Sequence, residues 1–312
     1  MKDVGLKPET LRTARAVALL RAPPNCLELL RKGETEKGDA LKTARIAGIL
    51  AAKRTDQLIP LCHPLPIHRA EVTFEILADA ARICAEVQTI GPTGVEMEAL
   101  AAASVAALTL YDMLKPHTTP DQLEIAQVKL EGKRGGKSQF RRKLAKPVSA
   151  AVIVLSDTVA SGKKPDTAGR AVEQTLKDAG FAPVTWEVLP DDPALLGPRV
   201  AAQLAAGVGL LATVGGTGLG PRDRTIETLK PLLTTEIPGI MEAARAFGQR
   251  RTPYAMLSRG IAGYAGQTLV VTFPGSRRGA EESVAAILPG LVHLFDVAKG
   301  AGHRGGYGEA GE

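Results

Sequence analysis

A basic, glycine-rich segment near the middle of the chain, residues 132–147, most constrains how this sequence can fold. It reads GKRGGKSQFRRKLAKP and has no apolar periodicity, so it predicts neither a regular helix nor a strand. In a chain of 312 residues, such a break predicts two separately folded domains. We place the boundary near Lys146, with a first domain at 1–142, a linker at 143–148, a second domain at 149–303 and a flexible tail at 304–312.

The residues before this segment combine short strands with longer helices. Apolar spacing predicts strands over 67–77, 81–90 and 123–130, and helices over 23–33, 39–58 and 95–115. Residues 12–21 suit a helix by propensity and a strand by alternation. Hairpin strands with helices to one side predict an α+β fold of ferredoxin-like type, with an antiparallel sheet.

The residues after the segment follow another pattern. Continuous apolar runs at 150–155 and 208–214 are typical of strands buried in a parallel sheet. Further strands are predicted at 184–188 and 268–273, and helices at 166–180, 193–206, 224–233, 239–248 and 280–300. This alternation predicts an α/β/α domain with a mostly parallel sheet, whose ligands lie beyond the carboxyl ends of the strands.

The excess of positive charge lies in the first half. The chain has 39 Lys and Arg against 33 Asp and Glu, and the whole surplus falls within residues 1–149. An anionic substrate in the first domain is the simplest explanation. A nucleic-acid surface would interleave basic with aromatic residues, and the first half offers only Phe74, Tyr111 and Phe140, so we predict no nucleic-acid partner.

The cysteines and apolar runs indicate a cytoplasmic protein without a membrane partner. Cys26, Cys62 and Cys84 have no paired spacing, which argues against a zinc knuckle or a disulfide framework and fits a reducing compartment. The N-terminus lacks the apolar core of a secretory signal. The longest mostly apolar run, residues 100–111, is shorter than the ~20 residues that span a bilayer.

The predicted helix over 95–115 carries a candidate acid–base group. Glu98 and Asp112 project within about 40° of each other around a helix, and Lys115 lies one turn beyond Asp112. A carboxylate beside a lysine can move protons while the ammonium holds phosphate. The spacing alone favours an ordinary surface ion pair.

Two further segments are ambiguous. On a strand, Cys62 and His63 would point to opposite faces, so they would not form a thiol–imidazole dyad; His63 is a ligand-binding candidate or a structural histidine, and Cys62 a packed thiol. The segment GKRGGKS lacks the first glycine of a P-loop, since position 131 is Glu131, but Lys137 beside two glycines could clamp a phosphate.

The motifs KGD, ARIAG, AAKRT, LIPLCHPL, TGVEMEAL, SVAALT and YDM-x-K occur in this order, and residues 1–142 resemble cyclic pyranopterin monophosphate synthase of molybdenum cofactor biosynthesis. The resemblance implies conversion of (8S)-3',8-cyclo-7,8-dihydroguanosine 5'-triphosphate to cyclic pyranopterin phosphate and diphosphate, without a cofactor. It also implies a hexamer with sites at subunit interfaces.

The resemblance assigns roles to residues by motif. Asp112 would be the principal acid–base residue, and Lys37 and Lys115 would be catalytic lysines. Residues that would contact substrate or line the site are Leu61, Cys62, His63, Met97, Glu98, Glu96, Lys53 and Lys137. The family usually has Lys-Ser-Gly-Gly-Lys-Ser-Gly where residues 133–139 read KRGGKSQ, so the flexibility of this loop is expected to differ.

In the second domain, a GGTG turn follows a buried strand and precedes a predicted helix. Glycines there let backbone N–H groups approach a phosphate. Asp223 lies just before the helix, where a carboxylate caps the helix by default or binds Mg²⁺. The pair Asp191 and Asp192 has the same two interpretations.

The motifs LSD, LPDD, GGTGLGPRD, IPG, LSRG and FPGS resemble the molybdopterin-binding domain, with molybdopterin adenylyltransferase the nearest family, over about residues 149–302. The resemblance implies AMP transfer from ATP with Mg²⁺, a trimer, and Asp191 and Asp223 as functional carboxylates, Asp223 as the candidate Mg²⁺ ligand. Residues implied to hold phosphate or pterin, or to lie nearby, are Gly215, Gly216, Thr217, Gly218, Pro274, Gly275, Ser276, Ser156, Asp157, Ser258 and Arg259. The family often has Arg where this chain has Thr158, so one basic contact is missing.

Together these observations predict a bifunctional enzyme of molybdenum cofactor biosynthesis. Its partners would be pterin and guanosine-triphosphate-derived small molecules, and it would be a homo-oligomer, either a trimer or a hexamer. The alternative is an active first-domain synthase fused to a non-catalytic pterin-binding or assembly module, since the second fold also serves molybdate-inserting enzymes and pyridine-nucleotide hydrolases.

Overall fold

The computed structural model describes residues 1–136, 140 and 143–298. The chain divides into two compact units, Met1–Phe140 (unit 1) and Arg141–Glu312 (unit 2). The division falls inside the basic segment, shortly before the boundary predicted near Lys146.

Unit 1 is an antiparallel sheet with helices, as the sequence predicts. Its elements are β1 (Thr10–Arg21), α1 (Pro24–Lys32), α2 (Ala40–Lys53), α3 (Thr55–Leu58), β2 (Arg69–Ile76), β3 (Ala80–Gly91), α4 (Glu96–Leu114) and β4 (Glu124–Arg134). The strand order is β2-β3-β1-β4, and every neighbouring pair is antiparallel. This order, with α1–α3 following β1 and α4 following β3, confirms the α+β class.

The ambiguous residues 12–21 form a central strand. β1 pairs with β3 on one side and β4 on the other, and its inward side chains Ala14, Ala16, Ala18 and Leu20 are buried. Pairing on both edges satisfies the backbone of β1, which explains why strand alternation prevails over the helical propensity of its alanines.

Small side chains bring α4 close to α2. The face of α4 that is buried in the core carries five alanines, Ala99, Ala102, Ala103, Ala106 and Ala107. On α2, a Cβ atom at Gly48 would lie 2.9 Å from the carbonyl oxygen of Ala102. The alanine-rich face therefore serves close helix packing.

By length and composition alone, one stretch of the described chain, Glu96–His117, could cross a membrane, and half of its apolar 18-residue window is buried inside the fold. It is longer than the apolar run recognised in the sequence because the helix continues through charged residues. Its alanines belong to the core of unit 1.

The ends of two elements differ from their predicted positions. Asp39 caps α2 as predicted, accepting a hydrogen bond from Lys42 N at 3.0 Å, but α2 ends at Lys53 and α3 follows separately. β4 continues to Arg134, where it pairs with Thr13 of β1. The first residues of the basic segment are therefore strand.

Unit 2 is a three-layer α/β/α unit, which confirms the predicted class. Its elements are β5 (Val148–Leu155), α5 (Asp157–Ala160), α6 (Ala168–Asp178), β6 (Phe181–Leu189), α7 (Pro193–Ala205), β7 (Leu210–Val214), α8 (Thr225–Leu229), β8 (Thr235–Glu236), α9 (Pro238–Gln249), β9 (Ala262–Ala265), β10 (Thr268–Phe273) and α10 (Arg277–Ala298). The strand order is β6-β5-β7-β10-β9-β8; β6, β5, β7 and β10 are parallel, whereas β9 and β8 pair antiparallel.

The sheet buries a different core on each face. Val152 and Val154 of β5 join α6, α9 and α10 in one core, whereas Ile153 and Leu155 join α7 in the other. The chain leaves β5 for β6 through α6 and returns to β7 through α7, so the direction of winding reverses between β5 and β7. Such a reversal opens a crevice at the carboxyl ends of the two strands.

The residues predicted as a linker, 143–148, all belong to unit 2. Leu144 N donates a hydrogen bond to Ala179 O at 2.9 Å, and its side chain packs against the core. Val148 already begins β5. The predicted tail, 304–312, lies outside the described residues.

Candidate functional sites

The first candidate site in unit 1 lies at the C-terminal end of α4. Lys37 Nζ donates to Asp112 Oδ2 at 2.7 Å and to the Asp112 carbonyl oxygen at 3.2 Å. Lys115 Nζ lies 2.7 Å from Asp112 Oδ1. We call Lys37, Asp112 and Lys115 the lysine cluster; all three are about half exposed. The structure thus brings together the three residues predicted to be catalytic in this domain.

A tight turn places Lys37 in this cluster. Gly38 N donates to Thr35 O at 2.9 Å, and Thr35 Oγ1 donates to Gly38 O at 2.5 Å. Gly38 has a φ of 98°, which a residue with a side chain rarely adopts. The KGD motif is therefore the end of a closed turn that projects its lysine toward α4.

The two lysines hold Asp112 in its ionised form. Hydrogen bonds from Lys115 and Lys37 lower the pKa of Asp112 from 3.8 to about 2, and Asp112 in turn raises the pKa of Lys115. Both pKa values thus move further from pH 7, whereas a general acid or base works best with a pKa near the working pH. As it stands, the cluster is suited to binding an anion rather than to moving a proton.

The second candidate site in unit 1 lies at the N-terminal end of α4. Lys133 Nζ contacts Glu96 Oε1 at 2.7 Å. Burial is the largest single influence on Glu96 and raises its pKa, but the hydrogen bond from Lys133, a backbone hydrogen bond and the charges of Lys133 and Arg12 together lower the pKa below its ordinary value. Glu98 is only 4% exposed, and burial raises its pKa, with smaller contributions from Glu96 and Asp56. Two carboxyl groups in one turn therefore differ in their readiness to carry a proton.

The segment 61–63 lies beside Glu98. Burial raises the pKa of Cys62, and the nearby carboxylates of Glu98 and Asp56 raise it further. Leu61 is 73% exposed, and His63 Nε2 lies 2.8 Å from the carbonyl oxygen of Lys2. The segment forms a turn, with Cys62 N donating to Ile59 O, so the assumption of a strand at Cys62 is wrong.

Arg12 belongs to the same end of α4 and was not predicted from the sequence. Its guanidinium donates to the carbonyl oxygens of Gly91 and Pro92 and lies where a Cβ of Gly136 would be, 1.5 Å from Nη1. Its charge also lowers the pKa of Glu96. The available signal was its position: Arg12 shares the inward parity of Ala14, Ala16 and Ala18.

The two ends of α4 do not form one pocket within a single chain. Glu98 and Asp112 do share a helix face, but the rise of a helix over fourteen residues separates them by about 21 Å. Met97 and Glu96 lie with Glu98 in the first turn. Lys53 is the exposed last residue of α2, and Lys137 lies outside the described residues.

In unit 2, three strand ends meet around the GGTG turn. Gly215 has a φ of 109°, and a Cβ there would lie 2.2 Å from Leu155 O at the end of β5. At Gly216, with a φ of 62°, a Cβ would lie 2.0 Å from Thr225 Oγ1. Gly275, after β10, approaches Gly215 closely. Only glycine fits such a turn. Gly215 N donates to Phe273 O at 3.0 Å, so the backbone N–H groups that could approach a phosphate are those of the residues after it.

Two predicted carboxylates join at the same edge. Asp157 N donates to Asp191 Oδ2 at 3.2 Å, and Asp191 N donates to Asp157 Oδ1 at 3.1 Å. Arg222, which was not predicted from the sequence, contacts the Asp157 carboxylate through both terminal nitrogens, at 2.5 Å and 2.9 Å. Burial raises the pKa of Asp191, and the carboxylates of Asp157 and Asp223 raise it further.

Asp223 does not cap the following helix, so that default prediction is wrong. Its Oδ2 accepts a hydrogen bond from Gly220 N at 2.8 Å, whereas Arg224 occupies the N-cap of α8. The GLGPRD segment turns back on itself, and this brings Gly220 N, rather than an N–H group of α8, to the Asp223 carboxylate. Arg259 ties the turn down by donating to Gly218 O at 2.7 Å and to Asp223 O at 2.6 Å.

The adjacent aspartates after β6 have different partners. Asp192 caps α7 by accepting from Ala194 N at 2.9 Å, and Asp191 instead faces Asp157. The structure thereby separates two residues that the sequence left equivalent.

The predicted hydroxyl groups are divided between caps and a buried site. Ser156 Oγ accepts from Val159 N, and Ser276 Oγ accepts from Gly279 N at the start of α10. Ser258 Oγ is buried and has no hydrogen-bond partner among the described residues. Thr217 is buried, and Pro274 follows β10 at the same edge.

The described carboxylates at this edge do not by themselves form a complete site for a divalent cation. No group of three or more His, Cys, Asp or Glu side chains in the described part of the chain is arranged to hold a metal ion by itself. Mg²⁺ commonly binds through one or two carboxylates and substrate phosphates. Asp191 and Asp223, close enough to influence each other's charge, could supply those carboxylates.

Family profiles match both units. That of the MoaC family matches residues 1–136, and that of the probable molybdopterin binding domain matches residues 151–293. A cyclic pyranopterin monophosphate synthase from Streptomyces griseus is 51% identical over 46% of this chain and 81% of its own length.

Two relatives span both units. A molybdenum cofactor biosynthesis bifunctional protein from Chlorobaculum tepidum is 43% identical over 97% of this chain and 96% of its own length. A protein of the same description from Synechococcus elongatus is 40% identical over 97% of this chain and 98% of its own. The order of the two domains is therefore shared with full-length relatives.

Proposed function

The chain belongs to the molybdenum cofactor biosynthesis bifunctional proteins, and we propose that unit 1 carries out the synthase step while unit 2 adenylylates molybdopterin. Unit 1 is a cyclic pyranopterin monophosphate synthase domain. Its substrate would be (8S)-3',8-cyclo-7,8-dihydroguanosine 5'-triphosphate, and its products cyclic pyranopterin phosphate and diphosphate.

The observation that carries the proposal for unit 1 is the pairing of two ammonium groups with one carboxylate in the lysine cluster. A triphosphate competes for Lys37 and Lys115 because it carries more negative charge than one carboxylate. When these lysines turn to phosphate, Asp112 loses the hydrogen bonds that lower its pKa. Its pKa then rises toward the range in which a carboxylate exchanges protons.

The separation along α4 supports an assembly of several chains. One substrate molecule does not bridge about 21 Å, so a complete site would combine the lysine cluster of one chain with the Glu98 end of another. Large apolar side chains are exposed on α2 and α4, where a second copy of the chain could cover them: Ile46, Leu50, Met97 and Leu108. We propose a homo-oligomer on this ground, with the hexamer preferred for unit 1.

Product analysis tests the synthase assignment. Purified protein is incubated with the cyclic triphosphate, and both products are quantified by mass spectrometry and a diphosphate assay. We expect Asp112→Asn and Lys115→Ala variants to keep their folds and to lose diphosphate release by about 10³-fold, the usual size of an acid–base contribution. Wild-type activity in either variant would remove that residue from the mechanism.

For unit 2 we propose AMP transfer from ATP to molybdopterin with Mg²⁺. Support comes from the meeting of the GGTG turn with Asp157, Asp191 and Asp223 at one sheet edge. The backbone N–H groups after Gly215 would bind phosphate, and Asp191 and Asp223 would hold the cation. Bound Mg²⁺ would draw charge from the phosphoryl oxygens, while Arg222 and Arg259 keep the surrounding loops in place.

The engagement of Asp223 by its own turn favours a second candidate, a non-catalytic pterin-binding or assembly module. The Asp223→Asn variant separates the two. Under the transferase proposal it abolishes AMP transfer and retains pterin binding, measured by radiolabelled ATP turnover and fluorescence titration. A wild-type protein that binds molybdopterin but turns over no ATP would support the module instead.

A further inference from the structure

His117, to which the resemblance assigns no role, contacts the turn that carries Lys37. Its ring nitrogen Nε2 accepts a hydrogen bond from Glu36 N at 3.1 Å. Glu36 immediately precedes Lys37, and His117 lies two residues beyond Lys115. One side chain therefore connects the end of α4 to the backbone of the lysine turn.

The backbone of His117 is itself fixed. Lys115–His117 forms a short 3₁₀ helix directly after α4, so its first residue supplies one lysine of the cluster. The carbonyl oxygen of His117 accepts from Asn25 Nδ2 at 3.3 Å on α1. The imidazole is half-buried between these elements. His117 is thus held at its backbone by Asn25 and at its ring by Glu36, so the side chain connects two elements of unit 1.

Among the described contacts, His117 makes the only hydrogen bond from another element to the backbone of this turn. The hydrogen bonds between Thr35 and Gly38 close the turn on itself and reach no other element. The Lys37 ammonium reaches Asp112 through a long, half-exposed side chain, which by itself restrains the backbone weakly. Holding Glu36 sets where the Lys37 stem begins.

We propose that His117 is a positioning residue for the synthase reaction, which holds the Thr35–Gly38 turn so that Lys37 and Lys115 converge on Asp112. The inference rests on the proposed function of unit 1. Its chemical requirement is a hydrogen-bond acceptor at the position of Nε2, which means a neutral ring with its proton on Nδ1.

Two substitutions isolate that requirement. His117→Gln keeps an acceptor, because its amide oxygen reaches about as far as Nε2, whereas His117→Leu keeps bulk and loses the acceptor. His68 provides a matched control: its Nδ1 accepts from Ile90 N at 3.2 Å, which is the same kind of bond away from the lysine cluster.

Steady-state kinetics of diphosphate release on the full-length protein test the proposal. We expect His117→Leu to lower kcat about tenfold, the effect of losing one ordinary hydrogen bond, with KM changed by less than about twofold. His117→Gln should stay within about threefold of the wild type, and His68→Leu should equal it. Equal rates for the leucine and glutamine variants would overturn the proposal.

A second background distinguishes positioning from general destabilisation. In single-turnover experiments on Lys37→Ala, adding His117→Leu should cost nothing further, because the residue through which His117 acts is gone. A tenfold cost in both backgrounds would refute the positioning role. Where leucine lowers the melting temperature, His117→Asn, too short to reach Glu36 N, replaces it. A wild-type protein without diphosphate release would instead refute the proposed function.

Discussion

The two units arrange their predicted site residues in opposite ways. In unit 2, residues from segments far apart in sequence meet at one edge of the sheet, where Asp157, Asp191 and Gly215 follow β5, β6 and β7. In unit 1, the predicted residues lie at two ends of α4, about 21 Å apart. In unit 2 the predicted site residues of one chain lie together, whereas in unit 1 they form two separate groups.

The strand directions explain this difference. Parallel strands all end at the same edge, so their following loops converge without further help. Antiparallel strands divide their loops between two edges, and a helix such as α4 then carries functional groups at both. A symmetric contact between copies can unite the halves. The number of chains that a site requires thus follows from the sheet that supports it.

The sharpest test of this contrast is complementation. Glu98→Gln and Asp112→Asn each remove one half of the unit 1 site, and mixing the two inactive proteins under conditions of subunit exchange should restore about a quarter of wild-type diphosphate release. Chance association gives each two-chain site about one intact pairing in four. Failure to recover any activity, with exchange shown by native mass spectrometry, would mean that the site is built within one chain.

The same mixing applied to unit 2 supplies the control. Asp191→Asn and Asp223→Asn alter one gathered site, so every chain in the mixture carries a defect and AMP transfer should not recover. Recovery there would break the comparison.

A smaller effect concerns the glycines that let the unit 2 strand ends meet. Gly215→Ala combines a positive φ with contact to Leu155 O, and should lower the stability of unit 2 by about 3 kcal/mol. Gly266→Ala has a φ of 61° and open space, and should cost only about 1 kcal/mol. Calorimetric unfolding of both variants measures the difference; equal losses would show that the close approach at Gly215 is relaxed.

The smallest effect concerns pH and unit 1. The pKa of Asp112 in the fold, about 2, lies below its ordinary value of 3.8, so its ion pairs stabilise the unit above pH 3.8 and this contribution is lost as the pH falls toward 2. Lys115→Ala should raise the pKa of Asp112 toward 3.8 and reduce that acid sensitivity. Carboxyl ¹³C NMR titration measures the pKa, and Lys42→Ala, which breaks an i,i+3 pair with Asp39, is the matched control.

Much of the fold could be predicted because its patterns are local. Alternation marked β2 and β3, and continuous apolar runs marked β5 and β7. Residues 12–21 could not be decided, because their strand depends on pairing with distant β3 and β4. The end of β4 was not predicted because its glycine and charged residues lack the apolar alternation of a strand. The strands β8 and β9 are too short to show a periodic pattern.

The sites were predicted to a different extent. The i,i+3 spacing identified Asp112 with Lys115, and the KGD motif suggested Lys37, but only the fold shows that a turn 75 residues away meets Asp112. The wrong prediction for Asp223 arose because a nearby N–H competed with the helix end. Arg222 and His117 carried no signal in sequence, since each acts through a partner supplied by another element.

The place of β5 in unit 2 has a consequence for how the protein is made. This strand opens the unit, carries no charged residue in VSAAVIVL, and lies between β6 and β7. Synthesis from the N-terminus releases it before either neighbour exists, with both backbone edges open to other chains. Nascent chains that stall between residues 155 and 214 therefore expose an apolar strand with unpaired backbone groups. We expect chaperones to bind most often to nascent chains of these lengths.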